Sequence, residues 1–325
     1  MTNPLVRRPP ATLGIGAVGL GYLMLGLGFV CIGVASQQAD IVVGLWLTEA
    51  LAIALPAVIW LRASGAEIAS GLGLRLPRAR WFAIAAGTAI LNQPVVSLLT
   101  YVAQSVLPHA MVVAFEQKNA GLDSFFSAHP ISMLVAVAVA APIGEEIFFR
   151  GFALPAAARS MPPLAAALVT AILFSAMHAD PVGALGLFEI GFWLAVLRWG
   201  SGSLFPAMLG HALNNSVAGV WFMLGLQTAG RTPPQWAISM GIENPDAPPP
   251  TWVLALGAAL ALAGAALAAR VLSQPRPEAP SDALSEAESA QPAHRMSQLR
   301  AWPLWTIWVA ALIAGAAQLL RSSPR

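Results

Sequence analysis

Glu145, Glu146 and Arg150 sit in the stretch APIGEEIFFRG, residues 141–151, within an otherwise apolar run that begins at Ile131. A charge in the interior of a bilayer costs at least about 2.5–3.5 kcal/mol. Three such groups so close together need partners, a water-filled cavity or a chemical task. At helical spacing Glu146 and Arg150 are i and i+4, so they share a face and can neutralise each other. Glu145 is turned about 100° away and has no partner in its own helix. The spacing predicts a structural Glu146–Arg150 pair and a free, reactive carboxylate at Glu145.

Of the 5 histidines, His109, His129 and His294 fall in predicted loops, whereas His178 and His211 lie in or at the end of apolar runs. His178 closes LFSAMH, with Phe174 one turn earlier on the same face; His211 opens HALNN, with Asn214 near its face and Asn215 one turn on. Taken singly, a buried His or Asn is often hydrogen-bonding glue between helices. Together, two carboxylates, an arginine, two histidines and an amide within residues 145–215 are what a buried hydrolytic site needs. Glu49 and Glu189 are further acids in apolar runs without an i±4 partner, and each reads as a protonated carboxyl hydrogen-bonded within the bundle. Pro142 and Gly144 are expected to loosen the backbone before Glu145, and Pro155 to mark a kink or stop.

The elements that must position these groups follow from composition. The 325 residues are 57% hydrophobic and 10% charged, against about 25% charged in a soluble domain. The fold class is all-α, a polytopic transmembrane bundle of about 8–9 spans. Apolar runs fall at 12–36, 41–61, 81–105, 131–153, 162–180, 182–199, 203–226, 251–272 and 302–320. A formal charge of +2 gives no case for nucleic acid, and the single Cys31 forms no intrachain disulfide. Arg7 and Arg8, and the arginines of loop 62–80, place both segments in the cytoplasm; loops 106–130 and 227–250, each net −1, fit the outside. The last run fits badly, since crossing there would leave Arg321 and Arg325 outside. Phe115, Phe125 and Phe126 among polar residues make 106–130 an interfacial segment rather than a span. Residues 273–300, rich in Pro, Ala, Ser and Glu, read as a disordered linker, and Trp302, Trp305 and Trp308 as interface anchors.

Glu145-Glu146-x-x-x-Arg150, Phe174-x-x-x-His178 and His211-x-x-x-Asn215, in that order, resemble the three motifs of the CAAX protease and bacteriocin-processing (CPBP/Abi) family of intramembrane endopeptidases. The run GLGLRLPR, residues 71–78, is similar to a turn that often precedes the family core. The resemblance divides the chain into an N-terminal helix pair (1–70), a protease core (71–226), an extra transmembrane helix (227–272), the linker (273–300) and a Trp-rich helix (301–325). It implies that Glu145 and His178 activate a water, that His211 and Asn215 stabilise the oxyanion, and that Glu146 and Arg150 hold the helix and orient Glu145. It implies no cofactor. Zinc, which His178, His211 and Glu145 have the chemistry to bind, is disfavoured because the short HExxH spacing is missing. The expected partners are the lipid bilayer of the plasma or inner membrane and a peptide or protein substrate: a prenylated tail, a leader peptide or a membrane-protein segment. A proton-coupled transporter and a non-catalytic immunity or scaffold protein are the competing readings of the same residues.

Overall fold

The computed structural model describes residues 14–228, 249–274 and 292–322. Arg7 and Arg8, most of the expected loop 227–250 and most of the expected linker lie outside the described residues. The chain is helical throughout the described residues: α1 Ile15–Ala39, α2 Ile41–Ala63, α3 Ile68–Leu72, α4 Arg80–Val106, α5 His109–Ala128, α6 Pro130–Ala157, α7 Pro163–Met177, α8 Ala184–Ser201, α9 Phe205–Thr228, α10 Thr251–Leu272 and α11 Pro292–Ser322. Among the described residues, six segments are long and apolar enough to cross a membrane: α1, α2, α4, α6, α10 and Ala301–Arg321 of α11. The runs at 162–180, 182–199 and 203–226 also fold as helices, α7, α8 and α9.

The centre of the bundle is built where α6 meets α2, α7, α8 and α9. Phe148, Phe149, Phe152 and Phe174 are fully enclosed there, and each packs edge-on against at least one of the others. Edge-to-face contacts add about 0.5–1.5 kcal/mol beyond the area they bury. Alanines at 52, 57, 153, 157, 166, 167 and 171 line the same interfaces with almost no exposure. Such small side chains let helices approach in a medium where lipid tails are as apolar as leucine. Around this centre, α10 packs on α4 and α8, while α11 packs along α1 and α2.

Several long helices widen locally into π turns, at Phe29–Val34, Thr48–Ala54, Ala136–Ala140 and Ile147–Ala153. The last three each end two residues before a proline: Pro56, Pro142 and Pro155. Proline has no N–H, and its ring crowds the carbonyl four residues back. A change from i→i−4 to i→i−5 pairing is one way to make room without breaking the helix. Pro155 therefore neither stops nor sharply ends α6, which runs on to Ala157.

The 71–78 turn is a bracket. Gly73 is left-handed, with φ +73°, and the Arg198 guanidinium occupies the space a side chain at Gly73 would need. Arg198 donates to the carbonyls of Leu72 and Arg150, both at 3.2 Å. Arg75 donates to Gly202 O at 2.9 Å, and Leu204 N donates to Gly73 O at 3.0 Å. One short loop thus ties the start of α9, the end of α8 and the middle of α6.

Two expectations change at the periphery. Residues 292–300, the end of the expected linker, form the first turns of α11. Trp302 is exposed, as an interface anchor would be, but Trp308 is buried with Ile32 and Ile59 and is core packing. By contrast α5 is a largely exposed helix with little of its surface in the bundle, consistent with an interfacial element.

The 27 residues of α4 extend about 40 Å, enough for one crossing. Reporter fusions or cysteine labelling in loop 62–80 and in α5 should therefore mark opposite faces, cytoplasmic and external respectively. Labelling from the same side would discard this map.

Candidate active site

Glu145 and Glu146 lie on the α-helical turn Ala141–Glu146, between the two π segments of α6. They are adjacent in sequence but have different neighbours. Glu146 and Arg150 form the expected i, i+4 pair, with Nη1 2.7 Å from Oε1 and both side chains 0% exposed. The arginine is held further by Gly191 O of α8, 2.7 Å from Nη2, and its guanidinium carbon lies 4.5 Å from the Phe174 ring centroid. Gly191 is needed for this arrangement: a Cβ there would meet Phe174 at 3.0 Å and Arg150 Nη2 at 3.4 Å.

Glu146 also reaches across to α9, where His211 Nδ1 is 3.0 Å from its Oε1. Ion-paired to Arg150, this carboxylate is an acceptor only, so Nδ1 carries the proton and Nε2 presents a lone pair. His178 is set in the same way. It caps α7 and its Nδ1 lies 2.9 Å from Phe174 O, an acceptor, which again leaves Nε2 free of a proton. Ala179, the next residue, turns the chain with φ +48°, a left-handed conformation uncommon for a residue with a side chain.

Both Nε2 atoms face Glu145. Oε1 of its carboxylate is 3.9 Å from His178 Nε2, and Oε2 is 3.7 Å from His211 Nε2. These separations are too long for direct hydrogen bonds and suit a bridging water. Glu145 and His211 are nearly sealed, whereas the His178 side chain keeps 28% of its surface open. The site therefore opens on one side, at His178.

Asn215, one turn beyond His211, donates from Nδ2 to Val137 O at 3.0 Å. Val137 lies in the first π segment of α6, where an i→i−5 pattern disturbs the regular ladder. Asn214 belongs to a separate polar cluster with Asn92 and Gln93 of α4, whose amides lie 3.4 and 3.2 Å from its Oδ1. Glu189 lies beside Asn92 of that cluster, and its Oε2 is buried without a hydrogen-bond partner among the described residues.

Glu145, Glu146, Arg150, His178 and His211 are thus brought to one place, on α6, α7 and α9, while Asn215, one turn beyond His211, is bonded to the α6 backbone at Val137. The sequence reading missed two others. Arg198 grips the backbone of the catalytic-looking turn at Arg150 O. Glu49, on the π turn of α2, is 7% exposed and lies directly against Gly144. Gly144 provides a contact surface for Glu49 rather than loosening the helix. Among the described residues no group of three His, Cys, Asp or Glu side chains has the arrangement of a metal site.

Residues 127–217 match the family described as type II CAAX prenyl endopeptidase Rce1-like. All three motifs fall inside that match. Comparison with curated proteins and with solved structures gave no match.

The geometry gives the two adjacent acids different partners: Glu146 is ion-paired and Glu145 is not. Glu146→Ala leaves Arg150 buried without its counter-charge, a change that costs about 3–5 kcal/mol in comparable pairs. It should lower thermal stability in detergent strongly, and adding Arg150→Met should recover part of that stability. The double variant should stay inactive, because His211 Nδ1 still lacks its acceptor. Wild-type stability in Glu146→Ala would refute the pairing argument.

Proposed function

Because residues 127–217 match the Rce1-like family of type II CAAX prenyl endopeptidases, we propose that this chain is a glutamic-type intramembrane endopeptidase in which Glu145 is the general base. The observation that carries the reading is the placement of Glu145 between two imidazoles from different helices, each turned to it through Nε2 at 3.7–3.9 Å. A water lodged there has acceptors for both of its protons and enters from the exposed side at His178.

In the proposed reaction this water attacks the carbonyl carbon of the scissile amide while its proton passes to Glu145, assisted by His178. The carbonyl oxygen becomes an oxyanion, met by the second amide hydrogen of Asn215 and by His211, whose Nε2 takes up a proton from solvent through the open His178 side before the attack. When His211 carries that second proton, the Glu146 carboxylate at Nδ1 faces the ring's charge, the arrangement of an acid–histidine pair. Collapse of the intermediate breaks the C–N bond, and the proton held by Glu145 goes to the leaving amine. Glu146 and Arg150 fix the turn that carries Glu145 and take no part in proton transfer.

The substrate class is a peptide or protein segment that reaches the site from the bilayer or its interface, and the expected setting is a plasma or inner membrane. The Glu145 site lies near the middle of α6, about 20 Å from either end. Such depth selects segments that are extended and membrane-associated, since an open polar backbone is tolerated there only within a shielded, hydrated cavity.

Glu145→Gln keeps shape and hydrogen-bonding capacity but removes the base. The variant should fold, insert and keep wild-type thermal stability, with cleavage of a membrane-anchored peptide slowed about 10²–10⁴-fold. Cleavage at the wild-type rate would overturn the assignment. Elemental analysis of active protein should find no stoichiometric zinc. One zinc per chain, with activity lost on its removal and regained on its return, would replace the metal-free mechanism with a metal-assisted one.

A further inference from the structure

Glu49 does not belong to any of the three motifs and is remote from them in sequence, yet it borders the same site. Its π turn, Thr48–Ala54, packs on the α6 turn Ala141–Glu146. A Cβ at Gly144 would lie 2.5 Å from Glu49 Oε2, 2.8 Å from its carbonyl oxygen and 2.9 Å from its Cβ. The residue next to Gly144 is Glu145, so both acids border the same contact between α2 and α6. Oε2 of Glu49 and Oε2 of Glu145 are both sealed from solvent, and neither has a hydrogen-bond partner.

Charge accounting makes this arrangement informative. Glu49, Glu145 and Glu146 are all at least nine-tenths buried, and the buried cation that follows the two acids on α6 is Arg150. Arg150 is committed to Glu146. Tyr22 and Cys31 are the ionisable side chains on α1, which also packs on the Glu49 turn, and Arg321 is the charged group near the far end of α11. None of them supplies a counter-charge to Glu49 among the hydrogen bonds and ion pairs of the site. Two adjacent buried carboxyls without a cation cannot both be charged at acceptable cost; the usual resolution is one shared proton.

We infer that Glu49 is a positioning residue of this active site: it and Glu145 share one proton, so that Glu49 acts as a neutral donor that holds the Glu145 carboxylate toward His178 and His211. This rests on the proposed role of Glu145 and extends it. A carboxylate with one oxygen fixed by such a donor loses the freedom to rotate away from the water. Close approach of α2, permitted only by the missing side chain at Gly144, is what brings the donor within reach. The N-terminal helix pair thereby becomes part of the catalytic apparatus and not only a membrane anchor.

The test compares Glu49→Gln, a neutral donor of the same shape, with Glu49→Met, which keeps the volume and removes the donor. With a membrane-anchored peptide, Glu49→Met should lower kcat about 10²-fold, the scale of a misplaced reacting group, with KM and thermal stability little changed. Glu49→Gln should recover at least tenfold of that loss. A role in packing alone predicts equal kcat in the two variants, and that result, or an unchanged kcat in Glu49→Met, would overturn the inference. Infrared difference spectra give a readout that needs no turnover. One protonated-carboxyl C=O band of the wild type should vanish in Glu49→Gln and shift in Glu145→Gln, while any band of Glu189 stays the same in all three proteins. If the band persists unchanged in Glu49→Gln, the shared proton is refuted even where cleavage confirms Glu145 as the base. If the band behaves as expected while Glu145→Gln cleaves normally, the shared proton stands and the general-base assignment falls.

Discussion

The guanidinium of Arg150 is the group on which the rest of the centre depends. With no solvent to hydrate it, its hydrogens must go to protein acceptors, and each acceptor fixes a different element. Glu146 ties it within α6, Gly191 O ties α6 to α8, and the face of Phe174 brings in α7. The backbone carbonyl of the same residue accepts from Arg198, which draws in the 71–78 turn. Glu146, held by Arg150, then sets the tautomer of His211 on α9. One buried cation therefore orders most of the core. A buried ion pair is weak support for net stability; here its effect is to specify how the helices register.

Helix irregularity is the second constraint. A regular α6 containing Pro142 and Pro155 would lose hydrogen bonds and clash with its own carbonyls. The π segments that precede these prolines absorb that conflict, and they leave an α-helical turn between them that carries both acids. The same device before Pro56 turns Glu49 inward from α2. Irregular backbone is costly in lipid unless neighbouring groups satisfy it. Asn215 does so for Val137 O, which links the third motif to the backbone behind the first.

Legibility from the sequence followed the range of the interaction. The Glu146–Arg150 pair was readable because i, i+4 geometry is local, and the helical membrane class because composition leaves no other choice. His178, His211 and Asn215 stood out as polar groups in apolar runs, and the order of motifs made them a set. Glu49 stood out equally but lacked a helical partner, so nothing in the sequence could assign it to the site; its neighbour is on another helix. Gly144 was misread for the same reason, since its contact is with α2. Arg198 has no neighbour in sequence that marks it, and only the fold turns it inward. Trp308 resembles Trp302 in every local respect, and packing of α11 on α1 and α2 alone distinguishes them.

Two adjacent glutamates show how one helix gives identical side chains opposite properties. Successive residues point about 100° apart, so Glu146 is directed into the core of α6, α8 and α9, where a cation and a ring N–H satisfy its Oε1. Glu145 is directed toward α2, α7 and His211, where the groups it meets are acceptors or other acids. The first carboxylate is therefore fixed as a charge and serves as a structural anion. The second has proton-accepting neighbours and no cation in direct contact, so it can exchange a proton with whatever donor enters from the His178 side. The difference between an ion-paired anchor and an unpaired carboxyl needs no difference in residue type; it follows from one step along the helix and from which neighbours the bundle packs against each face.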